Sequence, residues 1–300
     1  MNAPFLRRHS WFEATARSRI AGLVDPGSFQ EFLPPTASSP SPHLAALDLP
    51  GAFDDGVVVG SATLAGQPVL VAAQEGQFMG GAVGEIHGAK IVGLLRRAVR
   101  EEPAAVLFLV DSGGVRLHEA NAGLIAISEI MRAVLDTRAA GVPVLALVGG
   151  SCGAFGGMGI VTKLCSAIVM SEEGRLALSG PEVIETVAGV EEFDARDRAL
   201  VWRVTGGKHR YLMGDCAVLV EDDIAGFGGA AARWLAEQQE AGPSLAALRT
   251  AQTRLENRVT AYAAYRDGLQ VWAALGVPSP ENVPMLDRDS LVAIKEGLPT

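Results

Sequence analysis

Cysteine is scarce in this 300-residue chain, where Cys152, Cys165 and Cys216 are the only three. An odd number leaves one unpaired, and no two stand at a metal-like spacing, so a disulfide scaffold and a zinc ribbon are both excluded. A reducing, cytoplasmic setting is expected. Positive charge is also short, with 25 Lys and Arg against 34 Asp and Glu and a net charge of −9. Binding a phosphate backbone runs on basic residues, so no nucleic-acid partner is expected. The 35 glycines and 16 prolines follow no period, which excludes collagen-like and low-complexity classes. Apolar residues make up 49% and charged residues 20%, enough for a sizeable core.

Two targeting signatures are missing as well. Arg7 and Arg8 are followed by Trp11-Phe12-Glu13 instead of an apolar run, so no signal peptide is read. Residues 139 to 162 carry no charge and are long enough to span a bilayer. Yet Pro143 and seven glycines between Gly141 and Gly159 interrupt them, and lipid cannot satisfy such backbone. This stretch reads as buried strand, loop and helix start, with no membrane partner.

What is present divides the chain into three. Residues 1–50 read as an N-terminal helix, with Ile20, Leu23 and Val24 on one face, then a Pro-rich crossing. Residues 51–240 read as an α/β domain. It opens with a hairpin over Gly56–Leu64 and Pro68–Ala73 and then alternates helices with strands at 104–110, 142–148 and 167–170. Strand, glycine cluster and helix occur twice in succession, which implies parallel strands. Residues 241–300 form a helical segment whose apolar face runs through Leu245, Leu248, Leu255, Val259, Tyr262, Leu269 and Trp272.

The glycine clusters place backbone N–H groups where open α/β sheets bind ligands. No G-x-x-x-x-G-K-[ST] and no helix-opening G-x-G-x-x-G is present, which argues against a nucleotide. Two loops fit an oxyanion hole better: Ser112-Gly113-Gly114-Val115 and Gly153 to Gly157, each offering donors to one oxygen. Close helix–sheet packing is the other use such glycines have.

Four blocks narrow this choice. The stretch from Asp111 to Glu119, DSGGVRLHE, resembles the D-S-G-G-A-R-[IM]-Q-E segment of the carboxyltransferases of biotin-dependent acyl-CoA carboxylases. Gly80 to Ile91 resembles their G-G-S-M-G-x-x-x-G-x-K-I, Gly149 to Met158 their second oxyanion loop, and Leu178 to Glu185 the following G-P-x-V-I-E. All four occur in order within residues 55–225. The resemblance implies a crotonase-like ββα spiral with an appended C-terminal helical segment. The chain departs from the carboxylases in lacking a zinc ribbon and room for a second crotonase-like half. His118 replaces Gln, and Ala120 replaces Gly. With Arg196 to Gly207 downstream, the pattern is most similar to the β subunits of malonate decarboxylases.

That resemblance implies decarboxylation of a malonyl group on the phosphopantetheine-type arm of an acyl carrier protein. The implied partners are a sister γ subunit, the carrier protein and a malonyl/acyl transferase subunit. No cofactor bound by this chain, no biotin and no metal are expected. The enolate oxygen would sit on N–H groups of Gly114 or Val115 and of Gly156 or Gly157. Gly80, Gly81, Arg116 and His118 are the expected substrate-binding residues, Arg116 as a bidentate carboxylate or phosphate holder. His87 and His118 are candidates for the acid that protonates the enolate, and Glu119 would be the base in a hydratase. Each of these side chains has an ordinary structural use too. Lys90, Arg96 and Arg97 share a helix and are placed to meet the arm's phosphates, or to be a solvated face. Cys152 has no histidine partner order and reads as a small buried residue. The alternative function is a biotin-dependent acyl-CoA carboxyltransferase β subunit.

Overall fold

A computed structural model describes residues 10–37, 39–48, 50–237 and 242–298. Arg7, Arg8 and the boundary expected at 240–241 lie outside these residues. Helix α1 (Ala16–Leu23) is capped by Thr15 and is followed by strand β1 (Gln30–Phe32) and helix α2 (Pro42–Ala46). The Pro-rich crossing therefore contains an element. Ser41 caps α2 and Pro42 sits in its first turn, where a missing N–H costs nothing.

The expected hairpin is β2 (Val57–Leu64) and β3 (Gln67–Gln74), joined at Ala65-Gly66. Then come α3 (Glu85–Glu101), β4 (Ala105–Val110), α4 (Ala122–Ala139), β5 (Val144–Val148), α5 (Gly156–Leu164) and β6 (Ala167–Ser171). Helices α6 (Pro181–Ala188), α7 (Arg198–Thr205) and α8 (Gly207–Leu212) lead to β7 (Val218–Val220) and α9 (Ile224–Glu237). The described chain ends with α10 (Leu245–Tyr262), α11 (Gly268–Ala274) and α12 (Arg288–Glu296).

Among the described residues the strands form one seven-stranded sheet in chain order. β1 to β3 pair antiparallel, and β3 to β7 pair parallel. β4 shows why: its six residues are all buried, with Val106, Phe108 and Val110 on one face and Ala105, Leu107 and Leu109 on the other. A strand buried on both faces needs cover on both. Helices α3, α4 and α5 pack on the first face, while α1 and α9 cover the second. Each crossover on the first face advances the chain by one strand, so the fold climbs as a spiral with no reversal of strand order.

The C-terminal apolar face does not survive as one helix. Asp267 caps α11 in a capping box with Gln270, and the chain breaks there. Beyond the break, Trp272, Val277, Val283 and Leu291 join the main core. Before it, Leu245, Leu248, Leu255 and Val259 on α10 stay exposed. The last sixty residues are thus part core and part arm. No helix among the described residues is long and apolar enough to cross a membrane.

Candidate active site

Beyond the C-terminal ends of β4 and β5 the chain keeps pairing. The Ser112 N–H donates to Gly153 O at 2.7 Å, and the Phe155 N–H donates to Ser112 O at 3.0 Å. On one flank Val83 N–H reaches Gly114 O at 2.8 Å, and Arg116 N–H reaches Val83 O at 3.0 Å. On the other, Ala154 N–H donates to Arg175 O at 2.8 Å. A second, smaller ladder thus holds both glycine loops, and with them the segment that contains Gly80 and Gly81.

The loops meet glycine to glycine. Gly156 has φ +57°, and a Cβ added to it would lie 3.4 Å from the Gly114 Cα. Gly114 has φ +131°, so strain, more than lack of space, demands glycine there. Two of the four expected donors are already used: Gly156 N–H donates to Leu178 O at 2.8 Å, and Gly114 N–H to Ser112 Oγ at 3.2 Å. The N–H groups of Val115 and Gly157 donate to no acceptor among the described residues. Gly157 is the second residue of α5, so the helix dipole adds to its N–H. One N–H from each loop is free.

Beneath the loops lies an ion pair that sequence reasoning missed. Arg19 Nη1 and Asp111 Oδ2 stand 2.8 Å apart, each 2% exposed. Asp111 Oδ1 accepts the Cys152 N–H at 2.7 Å, and Arg19 Nε donates to Trp11 O at 2.8 Å. Gln74 Oε1 accepts the Asp111 N–H at 3.3 Å. Burial pushes the Asp111 carboxyl upward, and Arg19 opposes that shift. The aspartate stood in the DSGG stretch without a role. Arg19 was not singled out at all.

The charged candidates are otherwise engaged. Arg116 donates through Nε to Ala82 O at 2.8 Å, through Nη1 to Glu119 at 3.1 Å and through Nη2 to Asp55 O. Glu119 Oε2 accepts the first N–H of α3, that of Glu85, at 2.6 Å. Arg116 and Glu119 are both buried and paired with each other, which fits the structural use weighed above against substrate holder and base. His87 is fully buried between Asp55 O and Gln74 Nε2, each at 3.1 Å. Burial, helped by Arg116, pushes its pKa down to about 3, leaving a neutral ring with both nitrogens occupied. It is a poor proton donor. His118 is exposed and makes no hydrogen bond among the described residues.

Lys90 is buried against Asp55 at 3.1 Å and Val57 O at 2.7 Å, which removes it from the proposed phosphate contact. Arg97 pairs with Glu101 and covers Phe32. Arg96 lines a groove of about 590 Å³ between α2, α3 and α4, which reaches Glu119 and Ala120 just past the first loop. Cys152 is half-buried, and burial pushes its thiol up, against a nucleophile reading. No cluster of three or more metal-ligating side chains occurs among the described residues.

Comparison with known proteins places this arrangement. Residues 8–246 match the carboxyl transferase domain. The chain belongs to the carboxyl transferase family. It is 40% identical to the malonyl-S-ACP:biotin-protein carboxyltransferase of Malonomonas rubra, over 96% of both chains. It superposes on a chain of a Pseudomonas malonate decarboxylase hetero-tetramer solved with malonate. The TM-score is 0.79 at 38% identity, covering 94% of this chain and 98% of that one. The methylmalonyl-CoA carboxyltransferase 12S subunit of Propionibacterium freudenreichii subsp. shermanii is 32% identical over 73% of this chain, but only 40% of its own length. The malonate-decarboxylase type matches nearly end to end, the CoA carboxyltransferases over one part. The fold is crotonase-like.

Proposed function

We propose that this chain is the subunit of a malonate decarboxylase that carries out carbon–carbon cleavage on malonyl-S-acyl carrier protein. Loss of carbon dioxide leaves an enolate whose charge lies on the thioester oxygen. The Val115 and Gly157 N–H groups receive it, each worth about 3 kcal/mol in barrier terms by analogy with known oxyanion donors. The observation that carries this reading is the unpaired N–H on each of two loops in direct contact. The enolate carbon then takes a proton, for which His118 is the remaining candidate on this chain. The groove between α3 and α4 offers an apolar path for the carrier's prosthetic arm.

Leu117, Leu124, Ile125, Ile160, Leu178 and Val183 are exposed. They lie in the loops and helices that follow the two glycine clusters. A sister γ subunit would cover them and bury more than about 1,500 Å² in total. The carrier and transferase subunits complete the cycle, in a reducing cytoplasm suited to a chain with an odd number of cysteines.

The name of the Malonomonas relative favours a second reading, in which biotin accepts the carbon dioxide. One assay separates them: carbon dioxide release from malonyl-S-acyl carrier protein, with and without the γ subunit and biotin-carrier protein. The proposal expects release that needs the γ subunit and ignores biotin. Turnover only with the biotin carrier would move the chain to the second reading.

A further inference from the structure

We propose that α10 is a two-fold association surface that pairs antiparallel with α10 of a second copy of this chain. Arg258, near its C-terminal end, ties the helix to the body, donating to Asp215 at 2.9 Å and to Met213 O. Lys163 and Arg210 also contact Asp215; against the upward push of burial, Lys163 and Arg258 hold its carboxyl well below the usual range. The helix is anchored, yet it has no buried residue of its own.

Its uncovered face has a heptad pattern. Leu245, Gln252 and Val259 are seven apart, and Leu248, Leu255 and Tyr262 form the second row, three residues on. Leu245, Leu248, Leu255 and Val259 are between 48% and 67% exposed, which is too much for a helix whose partner is already in place.

The choice of a second copy rests on charge and register. A two-fold axis between Thr253 and Arg254 sets Leu245 against Tyr262 of the second copy, Leu248 against Val259, and Gln252 against Leu255. That same alignment brings Arg249 to the flank where Glu256 of the second copy lies, twice by symmetry. Both residues are exposed; Arg249 has no carboxylate partner among the described residues, and the Glu256 carboxylate accepts only from Gln252 of its own helix, at 2.8 Å. One register therefore satisfies the apolar seam and the charges together. A groove of about 350 Å³ beside Val259, Tyr262 and Tyr265 lies where Leu245 of the second copy would arrive. Eighteen helical residues span about 27 Å and bury less than a standard interface, so the pairing is weak and concentration-dependent.

The test uses the full chain bound to its γ subunit, in analytical ultracentrifugation up to about 100 μM, a range that detects weak pairing. The expected result is a mass that doubles with concentration. R249E and E256R should each weaken the doubling by about tenfold or more, through two like-charge contacts. The double variant R249E/E256R should restore it, because antiparallel pairing again sets opposite charges together, and so should an equimolar mixture of the two single variants. A wild-type mass that never doubles overturns the proposal, as does doubling that ignores the charge reversals. Loss of the γ subunit in L248E/L255E would overturn it too, by assigning the stripe to that subunit.

Discussion

The paired loops beyond β4 and β5 and the helix α10 use opposite materials. At the loops, side chains are spent internally, and what faces outward is backbone. Arg19, Asp111, Arg116 and Glu119 are all buried and all bonded to the segments they hold. On α10 the backbone is satisfied by the helix, and what faces outward is a row of leucines. A site made of N–H groups must be rigid from beneath, because an amide cannot be aimed by a rotamer. A surface made of side chains needs only an anchored helix.

Removing that support should have the largest effect. Asp111→Ala leaves Arg19 charged and buried without its carboxylate, and should cost about 3–5 kcal/mol in urea unfolding. Tolerance of this change, with turnover intact, would mean that the loops need no strut.

Acid should act next. His87 and His209 are both held near pKa 3 by burial, against 6.5 when free. The unfolded chain binds their protons first, so stability is complete above pH 6.5 and is lost as pH falls from there toward 3. Each contributes up to about 1.4 kcal/mol per pH unit in that window. Urea midpoints at pH 7 and pH 5 should differ accordingly, and His87→Asn should remove one histidine's share of the slope.

A smaller loss is expected at the end of the arm. Asp267 caps α11 and meets Arg203 at 2.7 Å, so Asp267→Ala should cost about 1 kcal/mol without changing kcat. A fall in kcat would tie this region to the chemistry.

The sequence showed the loops more readily than their support. The β-branched strands, the glycine clusters after them and the helical spacing of Ile91, Leu94 and Leu95 specify the spiral locally. The loop positions follow from the same text, and the family resemblance named their use. Which N–H groups stay free was not legible, because Gly156 is claimed by Leu178 O across the smaller ladder. Arg116 and Glu119 stayed open for a related reason: a charged pair three residues apart looks the same whether it holds substrate or caps α3. The C-terminal stripe misled through continuity, since Leu255 and Trp272 share a helical period while only Trp272 is buried. A break at Asp267, three residues before Gln270, was the signal available.

The central claim is that Gly157 acts through its N–H. A Cβ there would meet Ile127 Cγ2 at 2.6 Å, so the comparison belongs in an Ile127→Ala background. Gly157→Ala keeps the N–H, while Gly157→Pro removes it at a first-turn position of α5 that tolerates proline. Measured as carbon dioxide release by the assembled complex, kcat for the proline variant should fall by about 10² relative to alanine, at a similar Tm. A folded proline variant that turns over at the alanine variant's rate would contradict the account.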